Sequence, residues 1–359
     1  MSSSPDQAPQ VILGNSNKRF SGVTSTLLAT LPAVQKHLPV PLAVLAPHHL
    51  PDDAPTISFW QFVRLCHREK RTRVFHARRN DEMIQALLAR HLFRCPNLKI
   101  LFTSTAQRYH SGFTRFLMRQ MDGIITTCSA AASYLRTPAD HTVPHGIDLE
   151  RYYPPDSKSD AWKTLAAEEK LPGRYGIGIF GRIRPSKGID LFVEAVIAAL
   201  PDHPDFTAVI VGETTPSNQT YQDLLQRKIG AAGLSNRIVF LGKQPADRLP
   251  FLFRAMTLVC ALSRNEGFGL TVLEAMASGN PVLASEAGAW KDIVEPSVHG
   301  ALVPIDDLAA TKEAMHQLLR DPDTLRTSGE AARRHVEHGY SIDDEGRALA
   351  NIYLQYLSE

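Results

Sequence analysis

The chain has 359 residues, 43% of them apolar and 21% charged, which is more than one ordinary hydrophobic core accommodates and argues for two soluble folded domains. No apolar run approaches the ~20 residues that cross a bilayer as a helix, and no zinc-finger spacing or aromatic-basic sheet signature points to nucleic acid. Net charge is only +2, but residues 1–150 hold 17 Lys/Arg against 10 Asp/Glu, while the remainder holds 22 against 27.

The basic excess concentrates between Arg64 and Arg119, in thirteen Lys/Arg against three acids. Such a stretch is either a solvated face of basic helices or a surface that meets something anionic, such as lipid headgroups. Cys66, Cys95, Cys128 and Cys260 are scattered without CxxC or CxxH spacing. They are expected to be buried thiols in a reducing compartment. The start, MSSSPDQAPQ, has no basic-then-apolar pattern, so a cytoplasmic location is expected.

In chain order, short apolar runs alternate with amphipathic stretches. Predicted strands are VILG (11–14), PLAVLA (41–46), RVFH (73–76), KILFTS (99–104) and GIITT (123–127). A second series comprises YGIGIF (175–180), FTAVIVG (206–212), RIVFLG (237–242), TLVCAL (257–262) and PVLAS (281–285). Continuous rather than alternating apolar runs suit parallel strands covered on both faces. Helical patterns lie between them, among them DEMIQALLARHLF, KGIDLFVEAVIAAL and YQDLLQRKIGAAG. Strand and helix alternate in two series, which predicts an α/β protein of two doubly wound, Rossmann-like domains facing a central cleft.

The proline-rich stretch VPHGIDLERYYPPDSKSD marks the break. The reading is a first domain over 1–144, a linker over 145–160 and a second domain over 161–340. A C-terminal helix over 341–359 is expected to pack back on the first domain.

YGIGIFGRIRPSKG contains a literal G-x-G-x-x-G at Gly176, Gly178 and Gly181. The first two glycines fall inside the apolar run and Pro185 interrupts the segment after Gly181, so a nicotinamide or flavin site is discounted. Arg182 and Lys187 flank a loop that Gly181 opens and Gly188 closes onto a helix. Two cations beside a helix N-terminus suit a pyrophosphate, although two solvated loop cations would look the same.

In TLVCALSRNEGFGLTVLEAMASGNPVL, a strand runs into SRNEGFG and then into a helix. Glu266 lies in the loop and Glu274 in the early helix; Gly267 and Gly269 let the backbone approach a ligand. Either acid alone has an ordinary explanation, solvation for Glu266 and the helix dipole for Glu274. Together they are good acceptors for sugar hydroxyls, each charge-assisted bond contributing ~1.5–3 kcal/mol. Asp321-Pro322-Asp323, the D-x-D of the chain, lies between C-terminal helices and reads as a capping turn, so no metal is expected.

GRIRPSKG, NEGFGLTVLEAMASGNPVL and HGIDLERYYP resemble the signatures of retaining GT-B glycosyltransferases of family 4. Within that family, HARRNDEM with FTSTAQRYHSGFTRFLMRQMDGIITTCSAAASYL is most similar to lipopolysaccharide core mannosyltransferases, which use GDP-mannose and act on the Kdo region of a lipid A precursor at the inner membrane face.

The resemblance implies a hexosyltransferase without cofactor or metal. Arg182 and Lys187 would hold the pyrophosphate. Glu266 would contact the transferred sugar beside the amides of Gly267, Phe268 and Gly269, with Leu270 and Thr271 opening the helix and Glu274 on the ribose. Gly22 would start a helix facing the phosphate, and the base would lie near Gly212, Glu213, Gly242 and Lys243. Many members carry a histidine at a segment like the one near FTST; here that position shows Phe102 and Thr103, and His76 is the closest substitute, expected to act catalytically on the donor sugar or acceptor, with His110 as the alternative. Arg78, Arg79, Arg108, His110, Arg115 and Arg119 are expected on the acceptor and membrane side, against a lipid-linked anionic acceptor of the Kdo-lipid A type and an anionic inner-membrane surface. Rival readings are a UDP-glucose, UDP-galactose or UDP-GlcNAc transferase, and a non-catalytic scaffold of the same fold. The sequence leaves oligomeric state open.

Overall fold

A computed structural model describes residues 8–17, 22–45 and 48–359. Ala46, read from sequence as the end of the second strand, lies outside the described residues. The chain divides into two units, one of residues up to 146 together with 341–359, the other of 147–340.

The first unit is built on a seven-stranded parallel sheet. Its strands are β1 (Val11–Gly14), β2 (Leu42–Leu45), β3 (Thr56–Ile57), β4 (Arg73–Ala77), β5 (Leu98–Ser104), β6 (Gly123–Thr126) and β7 (His141–Thr142). They lie in the order β3-β2-β1-β4-β5-β6-β7. The second unit holds a six-stranded parallel sheet of β8 (Tyr175–Phe180), β9 (Phe206–Val211), β10 (Ile238–Gly242), β11 (Leu258–Ala261), β12 (Val282–Ser285) and β13 (Gly300–Val303). Its order is β10-β9-β8-β11-β12-β13. Each sheet reverses direction of growth once, between β1 and β4 and between β8 and β11. Those are the points where loops after the strand ends part and leave room for a ligand.

β1, β2, β4, β9, β11 and β12 are buried at every position, as continuous Val/Ile/Leu runs require when helices cover both faces. The glycines of YGIGIF serve packing. A side chain at Gly176 would overlap the ring of the buried Trp162, and one at Gly178 would meet Met256. β3, β7 and β13 have no counterpart in the sequence reading. The first two are half-exposed two-residue edge strands, and β13 is the short run GALV.

The helix Ile342–Ser358 belongs to the first unit. Leu349, Ala350, Tyr353 and Tyr356 join Leu27, Leu31 and Val34 in one apolar core. Gly346 brings the backbones together, since a Cβ there would crowd Ala33. Ser341 caps the helix at Asp344 N (3.1 Å), and Asp343 pairs with Lys36 at 2.7 Å.

The stretch read as a linker is mostly part of the second unit, because its side chains are anchored there. Tyr152 is 5% exposed and packs edge-on against Phe253, and Lys158 Nζ donates to Ser278 O (2.8 Å) and Asn280 Oδ1 (2.6 Å). His145 and Gly146 stay with the first unit, both held by the carboxylate of Glu345 at 2.8 Å. Asp321 caps the helix Pro322–Glu337 by accepting from Asp323 N at 3.0 Å, which accounts for the D-x-D as a turn.

Candidate active site

In the second unit the loops after β8, β9, β10 and β11 converge. β8 ends at Phe180, and Gly181 to Gly188 turn the chain into the helix Ile189–Ala199. Gly188 has φ 66°, and a Cβ there would overlap the carbonyl of Leu262, so this turn lies directly on the end of β11. Across it, Lys187 Nζ forms an ion pair with Glu266 Oε2, and both side chains are about one-fifth exposed. Ser263 Oγ also donates to Glu266 Oε2, at 3.3 Å. Gly181 lies against the aliphatic stem of Lys187.

Gly269 (φ 88°) sets the turn into the helix Leu270–Ala277, and a Cβ there would collide with Trp290 and crowd Glu266. The helix has no side-chain cap at its start, and its N-terminal dipole end favours an anion. Phe268 turns its ring into the core. Glu274, half-buried, accepts from the Tyr152 hydroxyl at 3.0 Å. Burial raises its carboxyl above the ordinary value, opposed by that hydrogen bond and by Arg151.

A cavity of about 230 Å³ collects Arg182, Glu213, Lys243, Thr271 and Glu274, with Gly181 and Gly212 in its wall. Gly242 closes one side by accepting Gly212 N at 2.9 Å, and Lys243 pairs with Glu213 at 3.2 Å. The cations and acids singled out from two distant motifs thus share one end of one sheet. Tyr152, which orients Glu274, escaped the sequence reading because it lies in the stretch taken for a linker.

In the first unit, Gly22 begins the helix Gly22–His37 that follows β1. His76 lies at the C-terminal end of β4, 1% exposed. Its ring bridges the Tyr353 hydroxyl (2.6 Å at Nδ1) and the Thr103 hydroxyl (2.7 Å at Nε2). Burial first, and Arg78 second, hold it well below the ordinary histidine range. Both ring nitrogens have hydrogen-bond partners inside the protein and the ring is buried, so the structure gives His76 a tying role between β4, β5 and the C-terminal helix in place of the expected catalytic one.

Arg78 and Arg79 follow at the same strand end, and one terminal nitrogen of Arg78 is buried with no hydrogen-bond acceptor among the described residues. The group that organises this corner is Glu82, which no motif marked. It is buried and accepts from Ser16 N, Ser16 Oγ and Arg78 N at 3.2, 3.2 and 2.7 Å.

The other expected acceptor residues surround the helix Gly112–Met118. His110, Arg115 and Arg119 line a cavity of about 390 Å³ with Tyr134 and Arg136. His110 shares a hydrogen bond with Ser104 Oγ at 2.8 Å, and burial followed by Arg108 and Arg115 lowers its pKa. Arg108 and Arg119 are exposed, beside Tyr109, Phe113 and Phe116, which are 69%, 56% and 58% exposed. No helix of the described residues is long and apolar enough to cross a membrane.

The family model for glycosyl transferases group 1 matches residues 161–335. The lipopolysaccharide core biosynthesis mannosyltransferase LpcC of Rhizobium leguminosarum bv. viciae is 42% identical over 353 residues, covering 98% of this chain and 97% of that protein. LpsB of Rhizobium meliloti, of the same description, is 39% identical over 96% of this chain and 97% of its own length. Anabaena HepE, solved in complex with UDP, matches with a TM-score of 0.79 at 19% identity, over 96% of this chain and all of that one, which shows a shared fold. That fold is the GT-B class, and the chain belongs to the group 1 glycosyltransferases as a hexosyltransferase.

Proposed function

We propose that the protein transfers mannose from GDP-mannose, with retention, to the Kdo or inner-core region of a lipopolysaccharide precursor. The observation that carries this reading is the near full-length similarity to two core mannosyltransferases, supported by the Lys187–Glu266 pair and by a cavity that gathers Arg182 and Glu274 at the same end of one sheet. Arg182 and Lys187 take the diphosphate and neutralise it as it leaves. Glu266 accepts from hydroxyls of the hexose and Glu274 from the ribose. Backbone around Gly212, Glu213, Gly242 and Lys243 meets the base.

The acceptor oxygen bonds to the anomeric carbon on the face from which the diphosphate departs. The bond from that carbon to the β-phosphate oxygen breaks, and the same phosphate takes the acceptor's proton. No protein base is required, which agrees with His76 being sealed in the core. These residues carry the charge compensation without a metal.

The acceptor is lipid-linked and anionic, and the protein works as a peripheral protein on the inner face of the cytoplasmic membrane. Arg108, Arg115 and Arg119 beside exposed Phe113 and Phe116 support this placement, since aromatic rings and arginines together suit the headgroup region. Mass-spectrometric transfer assays on Kdo₂-lipid IVA with a panel of nucleotide sugars test the reaction. Mannose transfer from GDP-mannose is expected, and transfer only from UDP-sugars overturns the donor assignment. Charge reversal at Arg108, Arg115 and Arg119 is expected to weaken sedimentation with anionic liposomes while GDP binding is kept. Unchanged sedimentation sinks the membrane assignment.

A further inference from the structure

The turn after β8 carries Lys187 and the loop after β11 carries Glu266, and one side chain joins the two. Arg264 donates from Nη1 and Nη2 to Asp190 Oδ1 and Oδ2 at 2.9 and 2.7 Å, as a parallel fork. Its Nε donates to Asp306 Oδ1 at 2.8 Å, and Nη1 also reaches the carbonyl of Pro185. The Arg264 backbone N–H donates to Ser186 O at 3.0 Å. Asp190 is itself fixed by the Tyr221 hydroxyl, which donates to Oδ1 at 2.8 Å. Its hydrogen bonds to Asp190, and then to Asp306, hold the guanidinium further into its charged range.

One planar cation therefore pins the segment Pro185–Lys187, the first turn of the helix Ile189–Ala199 and residue 306. With Arg264 26% exposed and Asp306 57%, the ion pairs contribute little to stability as such. What the fork supplies is direction, which a lysine ammonium cannot reproduce.

We infer that Arg264 is a positioning residue for the donor diphosphate, acting through Lys187. It fixes the backbone of the turn so that the Lys187 stem lies along Gly181 and its Nζ stands beside Glu266. The inference rests on the reading that Lys187 holds the diphosphate. It requires no contact between Arg264 and the donor.

Calorimetric titration of the full chain with GDP tests it, using Arg264→Gln, Arg264→Lys, Lys187→Ala and the double variants with Lys187→Ala. Arg264→Gln is expected to weaken GDP about ten-fold and Arg264→Lys nearly as much, because the fork is lost in both. In the Lys187→Ala background the same substitutions are expected to change GDP affinity by less than about two-fold. An equal loss in both backgrounds, or no loss in either, overturns the inference and leaves the donor assignment standing. If Lys187→Ala alone binds GDP like the wild type, the donor assignment fails and the inference falls with it. Should Arg264→Gln not fold, Arg264→Lys and Asp306→Asn, which removes only the outer anchor, give the same comparison.

Discussion

Glu274 is a group whose burial and whose use oppose one another. Its carboxyl lies above the ordinary value of 4.5, first because it is buried, with the Tyr152 hydrogen bond and Arg151 pulling it back. An acid with a raised folded pKa binds its proton more tightly in the folded chain than in the unfolded one. Stability is therefore lost as pH rises from the unfolded value through the folded one, and the ionised group is a cost near neutrality. Glu274→Gln keeps the shape and the acceptor for Tyr152 at 3.0 Å and removes only the charge. The variant is expected to melt higher than wild type near neutral pH, by ~2–4 °C for each kcal/mol gained in a unit of this size. The gap should close in mild acid, where the wild-type carboxyl is also neutral. Donor binding should move the other way. Replacing a charge-assisted bond to the ribose with a neutral one loses ~1.4 kcal/mol, about ten-fold in Kd. Scanning fluorimetry between about pH 4 and 8, with calorimetry using GDP-mannose, reads both. A variant that is less stable at neutral pH, or that binds donor as tightly as wild type, refutes the placement of Glu274 as a half-buried ribose acceptor.

Glu266→Ala is expected to lower kcat by about 10²-fold or more, since it removes the sugar acceptor and leaves Lys187 unpaired; wild-type turnover would show the site misplaced. Lys187→Ala should lower kcat/KM for GDP-mannose by roughly 10–100-fold, measured by initial rates at varied donor. His76→Gln should cost about 2–3 kcal/mol of stability through two buried hydrogen bonds, with turnover per folded molecule kept; loss of kcat without loss of Tm would restore a catalytic role. Burial lowers His76, and lowers His299 and His335, whose tilted rings pack with centroids 4.5 Å apart. The unfolded chain, with ordinary values of 6.5, takes up these protons first, so stability should fall as pH drops through about 6.5. Flat melting temperatures between about pH 7.5 and 5.5 would contradict these lowered values.

Most strands of both sheets were legible because buried parallel strands are largely apolar, as in YGIGIF and FTAVIV, whereas β3, β7 and β13 are too short to leave such a run. The positions of Arg182, Lys187, Glu266 and Glu274, which we propose hold the donor, were legible because they fall in loops and helix starts directly after such strands. Other features depend on partners distant in sequence, which no local pattern encodes. His76 became structural only through Tyr353, 277 positions away. Glu82 looks like an ordinary helix-start acid until Ser16, 66 positions earlier, folds onto it. Tyr152 was hidden by prolines that suggest a linker, yet its ring is held by Phe253 and its hydroxyl by Glu274.

The excursion of the chain through the second unit before the helix Ile342–Ser358 returns sets an order of events during synthesis. The ribosome releases Val11, Leu27, Val34 and Val74 long before Leu349, Tyr353 and Tyr356, which complete their core. Until the final helix emerges, that core of the N-terminal unit waits with only the helix Gly22–His37 to cover it, while the contiguous second unit is free to fold. Truncation within that helix would therefore damage the earliest part of the polypeptide rather than the part beside the cut.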